Sequence, residues 1–250
     1  MKGVEGMEAQ FLTGGDRSLY VKLGDEISLE VNGRVKSLMQ KLEADPVDGI
    51  AEMVPTYATL MIHYRPEKIL YKQLVEEVKK RLNADDEKQE EISQIVKVLP
   101  ICYDKEFAWD LDECAAFEQV SVEEFIRMHS EHEYYAYMLG VAPGHAYMAR
   151  FEEPFHFKRR TEPRVRINGR SIVAAENQSN LIPFDQPCGW NIVAGTPCNI
   201  CDYSKKEPFL VNAGDWVKYQ PVSRKEYDKI RKDVERGTYK LETYVKKVVK

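Results

Sequence analysis

No stretch of the chain comes near the about eighteen consecutive apolar residues that a membrane-crossing helix needs, so no membrane partner is expected. Its first residues, MKGVEGMEAQ, contain no apolar run of the kind that marks a secretory signal. The phosphate loop GxxxxGK[ST], the dinucleotide fingerprint GxGxxG, the nucleophile elbow GxSxG and the zinc motif HExxH are all missing. If ATP is used, something other than the common phosphate loop holds it. An excess of positive charge is missing too: the net charge is -5, which argues against nucleic acid as the main partner. Cysteines are few, five in all, and irregularly spaced. Cys198-Asn-Ile-Cys201 is a lone CxxC, half of the usual structural zinc set, and it has no βαβ context for redox work. These cysteines read as reduced, buried thiols of a cytoplasmic protein, with no metal or organic cofactor indicated.

What is present is ordinary for a folded chain: 43% hydrophobic and 31% charged residues over 250 positions, enough for one large domain or two small ones. In the first half, Leu19 to Lys22 and Ile27 to Val31 read as a hairpin around Gly24-Asp25. Val35, Leu38, Met39 and Leu42 then fall on one helical face, and Asp45-Pro46 ends that helix. Ile50 to Met53 and Tyr57 to Tyr64 follow as strands. Pro66-Glu67 opens a helix carrying Leu70, Leu74, Val78 and Leu82. A polar acidic loop, Asn83 to Glu91, leads to a strand over Ile92 to Ile101. From Ile27 the order is β-α-β-β-α-β, the split pattern of a ferredoxin-like α+β domain, assigned to residues 1–93.

The second half changes character. Asp110 to Phe117 and Val122 to Met128 read as helices, the latter opened by the capping-box pattern of Ser121 and Glu124. Short apolar runs then recur at 134–139, 164–167, 172–175, 191–194, 200–203, 209–211 and 216–219, punctuated by Gly, Pro, Asn and Asp. Strands at that spacing predict a closed or nearly closed barrel over residues 94–250. Ser223 to Lys250 reads as a polar helix with a basic excess.

Two features carry candidate chemistry. Lys158, Arg159, Arg160, Arg164, Arg166 and Arg170 share a stretch whose one acid is Glu162. Arg164 and Arg166 are two apart in a strand and share a face, an arrangement suited to holding a carboxylate or phosphate. The competing reading is a surface ladder paired with the acidic majority. His129 lies on an apolar helix stripe, where a histidine is ordinarily a hydrogen-bonded core residue and a catalytic role is the sharper alternative.

Several motifs in one order then resemble a known family. His129-Ser130, Tyr135, Leu139-Gly140, Pro143-Gly144 and Tyr147 match its first line, and Arg159, Pro163-Arg164 and Ser171 its second. Gln178, Pro183, Pro187, Gly189-Trp190 and Thr196-Pro197 match a third, and Gly214-Asp215 a closing turn. The chain resembles the family of the 5-oxoprolinase B subunit, allophanate hydrolase subunit 1 and the sporulation kinase-A inhibitor, the carboxyltransferase subdomain C. The resemblance implies a ferredoxin-like N-terminal domain followed by a cyclophilin-like barrel. It implies a homologous subdomain-D partner, similar to allophanate hydrolase subunit 2. It also implies cleavage of a small carboxylate amide, 5-oxoproline with ATP as co-substrate of the assembled complex, or allophanate. The inhibitor member implies an alternative, a non-catalytic module that binds a sensor histidine kinase. On the enzyme reading, Tyr147, Arg159, Arg164, Gln178 and Trp190 are the expected substrate-binding residues, and His129 and His145 the expected proton-transfer residues. The chain departs from the family pattern at Val141, His145, Arg150, Arg170, Ile182 and Cys188. Where glycines are replaced, the backbone must change or the new side chain must fill space.

Overall fold

A computed structural model describes residues 8–83, 91–149 and 155–249. The acidic loop after Asn83, and Arg150 among the family departures, lie outside the described residues. The chain divides into two compact units, Met1–Glu91 with Val249–Lys250, and Ile92–Val248.

The first unit contains β1 (Gln10–Thr13), β2 (Ser18–Lys22), α1 (Leu29–Ala44), β3 (Ile50–Pro55), β4 (Thr59–Tyr64) and α2 (Tyr71–Leu82). Its sheet runs β1-β2-β4-β3, antiparallel throughout. Leu19, Val21, Leu60 and Ile62 supply one sheet face, and Val35, Leu38, Leu42, Leu74 and Val78 meet it from the two helices. The hairpin expected around Gly24-Asp25 forms one step earlier, between β1 and β2, closed by Gly14 N–H to Ser18 O at 2.8 Å. Ile27 to Val31 is not a strand. Ser28 accepts the Val31 N–H at 3.2 Å and caps α1, and this local bond outweighs the alternating pattern.

The second unit contains β5 (Glu91–Ile101), α3 (Leu111–Phe117), α4 (Val122–Ser130), β6 (Glu133–Leu139), β7 (Ala146–Ala149), β8 (Arg164–Ile167), β9 (Ser171–Ala175), β10 (Gln178–Leu181), β11 (Gln186–Cys188), β12 (Asn191–Gly195), β13 (Trp216–Pro221), α5 (Arg224–Glu235) and β14 (Glu242–Val249). The strand expected at Ile92 to Ile101 exists, but it pairs within this second sheet rather than the first. The sheet order is β12-β9-β10-β7-β6-β13-β5-β14. Beyond β5 the chain meets β12 at the far end of that order: Cys102 and Gly195 exchange backbone hydrogen bonds of 2.8 and 3.0 Å. Seven strands are thus curled into a ring. Tyr134, Ala136, Ala146, Met148, Ile172, Ala174, Leu181, Val217 and Tyr219 fill its interior, with Phe125 of α4 among them. A two-stranded ribbon, β8 with β11, builds a second cluster from Ile167, Val173, Ile182, Cys188 and Ile192. Side chains alternate across a strand, so Val173, between Ile172 and Ala174, puts that cluster on the outer face. The polar helix expected over Ser223 to Lys250 stops at Glu235. Gly237 takes φ 72° there, and the Thr-Tyr-Val run after Glu242 pairs as β14. The runs at 200–203 and 209–211 give a single bridge, Cys201 with Phe209, rather than strands.

Candidate functional site

The two histidines expected to share proton transfer lie on opposite faces of the barrel wall. His129 closes α4 and is wholly buried. The Tyr103 hydroxyl lies 2.6 Å from its Nδ1 and the Ser179 hydroxyl 3.0 Å from its Nε2, so both ring nitrogens are engaged. Ser179 also meets the Tyr219 hydroxyl at 2.8 Å, and the Tyr134 hydroxyl donates to the His129 carbonyl at 2.9 Å. Tyr219 stacks on the imidazole at 4.9 Å. Burial pushes the Tyr103 and Tyr219 phenols well above their ordinary range, so both stay neutral hydroxyls. Both ring nitrogens of His129, expected to take part in proton transfer, thus have hydroxyl partners inside the barrel. The network satisfies polar groups inside an apolar barrel.

His145 follows the Pro143-Gly144 turn, held by its N–H to Ala142 O at 3.0 Å and its carbonyl to Gly140 N–H at 3.1 Å. It stacks on Tyr147, with ring centroids 4.7 Å apart. Tyr147 sits between Ala146 and Met148, which face the interior, so Tyr147 faces outward. Gln186 of β11 reaches His145 Nδ1 at 3.2 Å. With the Gln186 amide nitrogen as donor, the imidazole proton lies on Nε2. That Nε2 is buried and has no hydrogen-bond partner among the described residues. Burial lowers the imidazole pKa to about 4, so the ring is neutral at physiological pH and suits hydrogen-bond donation better than proton abstraction.

The cations divide into two groups. Asp110, whose side chain is 3% exposed, receives both Arg164 terminal nitrogens at 2.8 and 2.6 Å, Arg160 Nη1 at 3.1 Å and the Ile192 N–H at 2.8 Å. Arg166 bonds Asp185 through Nε at 3.2 Å. The paired ladder therefore describes Arg160, Arg164 and Arg166, and the Arg164 fork expected on substrate is bonded to Asp110 here. Lys158, Arg159 and Arg170 have no carboxylate partner among the described residues. Arg159 is exposed, stands 6.0 Å over the Trp190 ring, and lies close enough to Tyr147 to act on its hydroxyl. Gln178 lies in β10 opposite Ala149, on the neighbouring strand that carries Tyr147. His145, Tyr147, Arg159, Gln178 and Trp190 thus belong to one outer-face region, and Gln186 joins them. No sequence signal marked Gln186 or Asp110, because their partners lie 41 and 54 residues away.

Arg170, at a position where the family pattern has glycine, has a left-handed backbone at φ 69°, a strain of roughly 1–3 kcal/mol for a side-chain-bearing residue. Val141 also has a left-handed backbone, at φ 67°. All five cysteines are free thiols, and burial pushes Cys198 to about 11 and Cys114 to about 12. Among the described residues no group of three or more His, Cys, Asp or Glu side chains could hold a metal, and no helix is long and apolar enough to cross a membrane.

Known proteins are similar to this chain. The chain is 32% identical over 224 residues to the 5-oxoprolinase B subunit of Bacillus subtilis (strain 168), covering 85% of this chain and 92% of that one. It is 27% identical over 207 residues to the 5-oxoprolinase B subunit of Escherichia coli O157:H7, covering 83% and 93%. The crystal structure of TTHA0988 superposes with a TM-score of 0.69 at 27% identity, over 82% of this chain and 40% of that one. The Kluyveromyces lactis urea amidolyase superposes with a TM-score of 0.83 over 96% of this chain and 16% of that one; at 18% identity this likeness shows the fold alone. The chain thus spans two fifths or less of these solved proteins. The model of the carboxyltransferase domain, subdomain C and D, matches residues 9–211, and the chain belongs to that family.

Proposed function

We propose that the chain is one subunit of a two-component amide hydrolase that acts on a small carboxylate amide, 5-oxoproline with ATP or allophanate. The observation that carries the reading is the outer-face cluster: a buried neutral His145 whose Nε2 has no hydrogen-bond partner among the described residues, stacked on Tyr147 near an uncommitted Arg159. The relatives named as B subunits of 5-oxoprolinase, matched over most of their length, support it. In this reading Arg159 holds the substrate carboxylate, and Tyr147, Gln178 and Trp190 orient the body. The His145 Nε2–H is aimed at the amide oxygen, where negative charge develops on cleavage. Arg164, fixed by Asp110, anchors the ribbon beside them, and His129 holds the wall behind. A subdomain-D protein, similar to allophanate hydrolase subunit 2, completes the site in the cytoplasm, and ATP enters as a substrate of the assembled complex.

At the level of fold, two finer assignments belong to the same proposal. The order β1-β2-β4-β3 with α1 and α2 supports a ferredoxin-like domain whose edge position, ordinarily taken by the last strand of βαββαβ, is taken by β1. The seven-strand ring supports the cyclophilin-like description of the remainder, with the boundary close to residue 93.

The test is an assay of the chain, alone and with a subdomain-D partner, on 5-oxoproline plus ATP and on allophanate. Turnover is expected in the combination alone. Absence of turnover on both substrates in every combination sinks the hydrolase reading. Capture of a sensor histidine kinase in place of the subdomain-D protein would move the chain to the non-catalytic inhibitors.

A further inference from the structure

A cleft of about 740 Å³ opens elsewhere in the second unit, within the roughly 300–1,000 Å³ typical of small-molecule sites. None of the residues of the His145 cluster lines it. Its charge is set by Arg170. This guanidinium has no ion pair or hydrogen bond among the described residues, and its Nη1 is buried without an acceptor. The acids on the rim are already committed. Asp185 accepts from Arg166 and from the Gly169 N–H at 2.8 Å, and feels Arg170 only through space. Glu106 is paired with Arg224. The cleft therefore offers one cation without a direct partner. Beside it stand the Tyr227 hydroxyl, close enough to feel the Arg170 charge, and the Asn199 side chain. Two exposed rings are also in the lining. Trp109 is 44% exposed and Phe184 39%, unusual exposure for such large apolar groups. Arg170 is also held at φ 69°, a conformation that favours glycine, and such strain persists where surrounding structure or function requires the side chain. Arg170 thus brings a guanidinium without an ion pair to the lining of a cleft that also carries exposed aromatic rings.

We propose that this cleft is a second ligand site, separate from the His145 cluster, that binds a small aromatic carboxylate: the carboxylate on Arg170, the flat apolar body between Trp109 and Phe184. Guanidinium matches carboxylate by a bidentate fork, and the rings select a planar body over a bare anion. The proposal is independent of the hydrolase reading, because it concerns binding by the chain without its partner.

Isothermal titration of the full chain with benzoate, benzamide and inorganic phosphate tests it. Benzoate binding is expected to be about tenfold or more tighter than either of the other two. Arg170→Gly, which relieves the backbone and so should fold at least as well, is expected to weaken benzoate about tenfold or more. Arg170→Gln, which keeps most of the side chain without the charge, should do the same. Arg159→Ala should leave benzoate unchanged. Undetectable benzoate binding, equal binding by Arg170→Gly, benzamide or phosphate matching benzoate, or loss in Arg159→Ala in place of Arg170→Gly would each overturn it.

Discussion

Two buried histidines lie on opposite sides of the barrel wall, His129 on α4 inside and His145 beside β7 outside, and their hydrogen bonding sets them apart. His129 and His145 are both nearly inaccessible, both stacked on a tyrosine, and both placed by a helix end or turn. Inside, each ring nitrogen of His129 meets a hydroxyl; outside, His145 keeps Nε2 open. Burial therefore does not separate the two histidines, whereas hydrogen-bond satisfaction does. The arginines repeat the lesson. Arg164 and Arg159 lie close in sequence, yet a buried Asp110 takes the first and leaves the second exposed.

The largest break in that comparison comes from inside. His129→Ala should remove about 3–5 kcal/mol of stability, since it empties a closed space and takes one hydrogen-bond partner from each of the Tyr103 and Ser179 hydroxyls. Urea unfolding checks this, with the slope unchanged. A variant that stays fully stable but loses turnover would return His129 to the catalytic set.

His145 should answer to pH instead. Its folded pKa, about 4, lies below the ordinary value of 6.5, so the unfolded chain binds the proton first. Stability from this group is complete above pH 6.5 and is lost as pH falls toward 4, by roughly 3 kcal/mol over that window. Chemical unfolding of the wild type and of His145→Gln at neutral pH and near pH 4.5 measures the difference. Equal acid sensitivity in the two would assign the effect to other groups.

How far the sequence alone foresees this contrast depends on the range of the interaction. β6, β9, β12 and β13 were legible because β-branched and aromatic runs lie between turn residues. The Ser121 cap of α4 was legible because its partner, the Glu124 N–H, is three residues on. β7, β10 and β11 were not: Ala146 to Ala149 and Gln178 to Leu181 have little intrinsic strand preference and are strands because both neighbours pair with them. The Thr-Tyr-Val run of β14 was readable, but the lysines around it resemble a solvated helix. For the site, sequence located the region through its turns and cations but could not say which cation is spent. That depends on Asp110, more than forty residues from the arginines it binds.

Asp110→Asn would sharpen the arginine half of the comparison. It weakens the charge on which Arg160 and Arg164 converge while keeping an acceptor for the Ile192 N–H. The expected cost is about 2 kcal/mol, below that of a fully buried pair because both arginines are about a quarter exposed. Thermal unfolding reads it, and a stability change near zero would show that the pair contributes little.

The smallest structural effect should come with a large functional one. Arg159→Ala removes an exposed side chain that rests on the Trp190 face, so its stability should stay within about 0.5 kcal/mol of wild type. Arg164→Ala should instead cost about 1–3 kcal/mol, because it leaves the buried Asp110 carboxylate short of partners. In the complex with the partner subunit the order should reverse: KM for the carboxylate substrate should rise about tenfold or more in Arg159→Ala. It should change far less in Arg164→Ala once folded protein is equalised. The two measurements must be taken together, since a drop in activity alone cannot distinguish a lost contact from a lost fold. If KM follows stability in both variants, Arg159 is not the carboxylate contact, and the outer face loses the cation on which its substrate assignment depends.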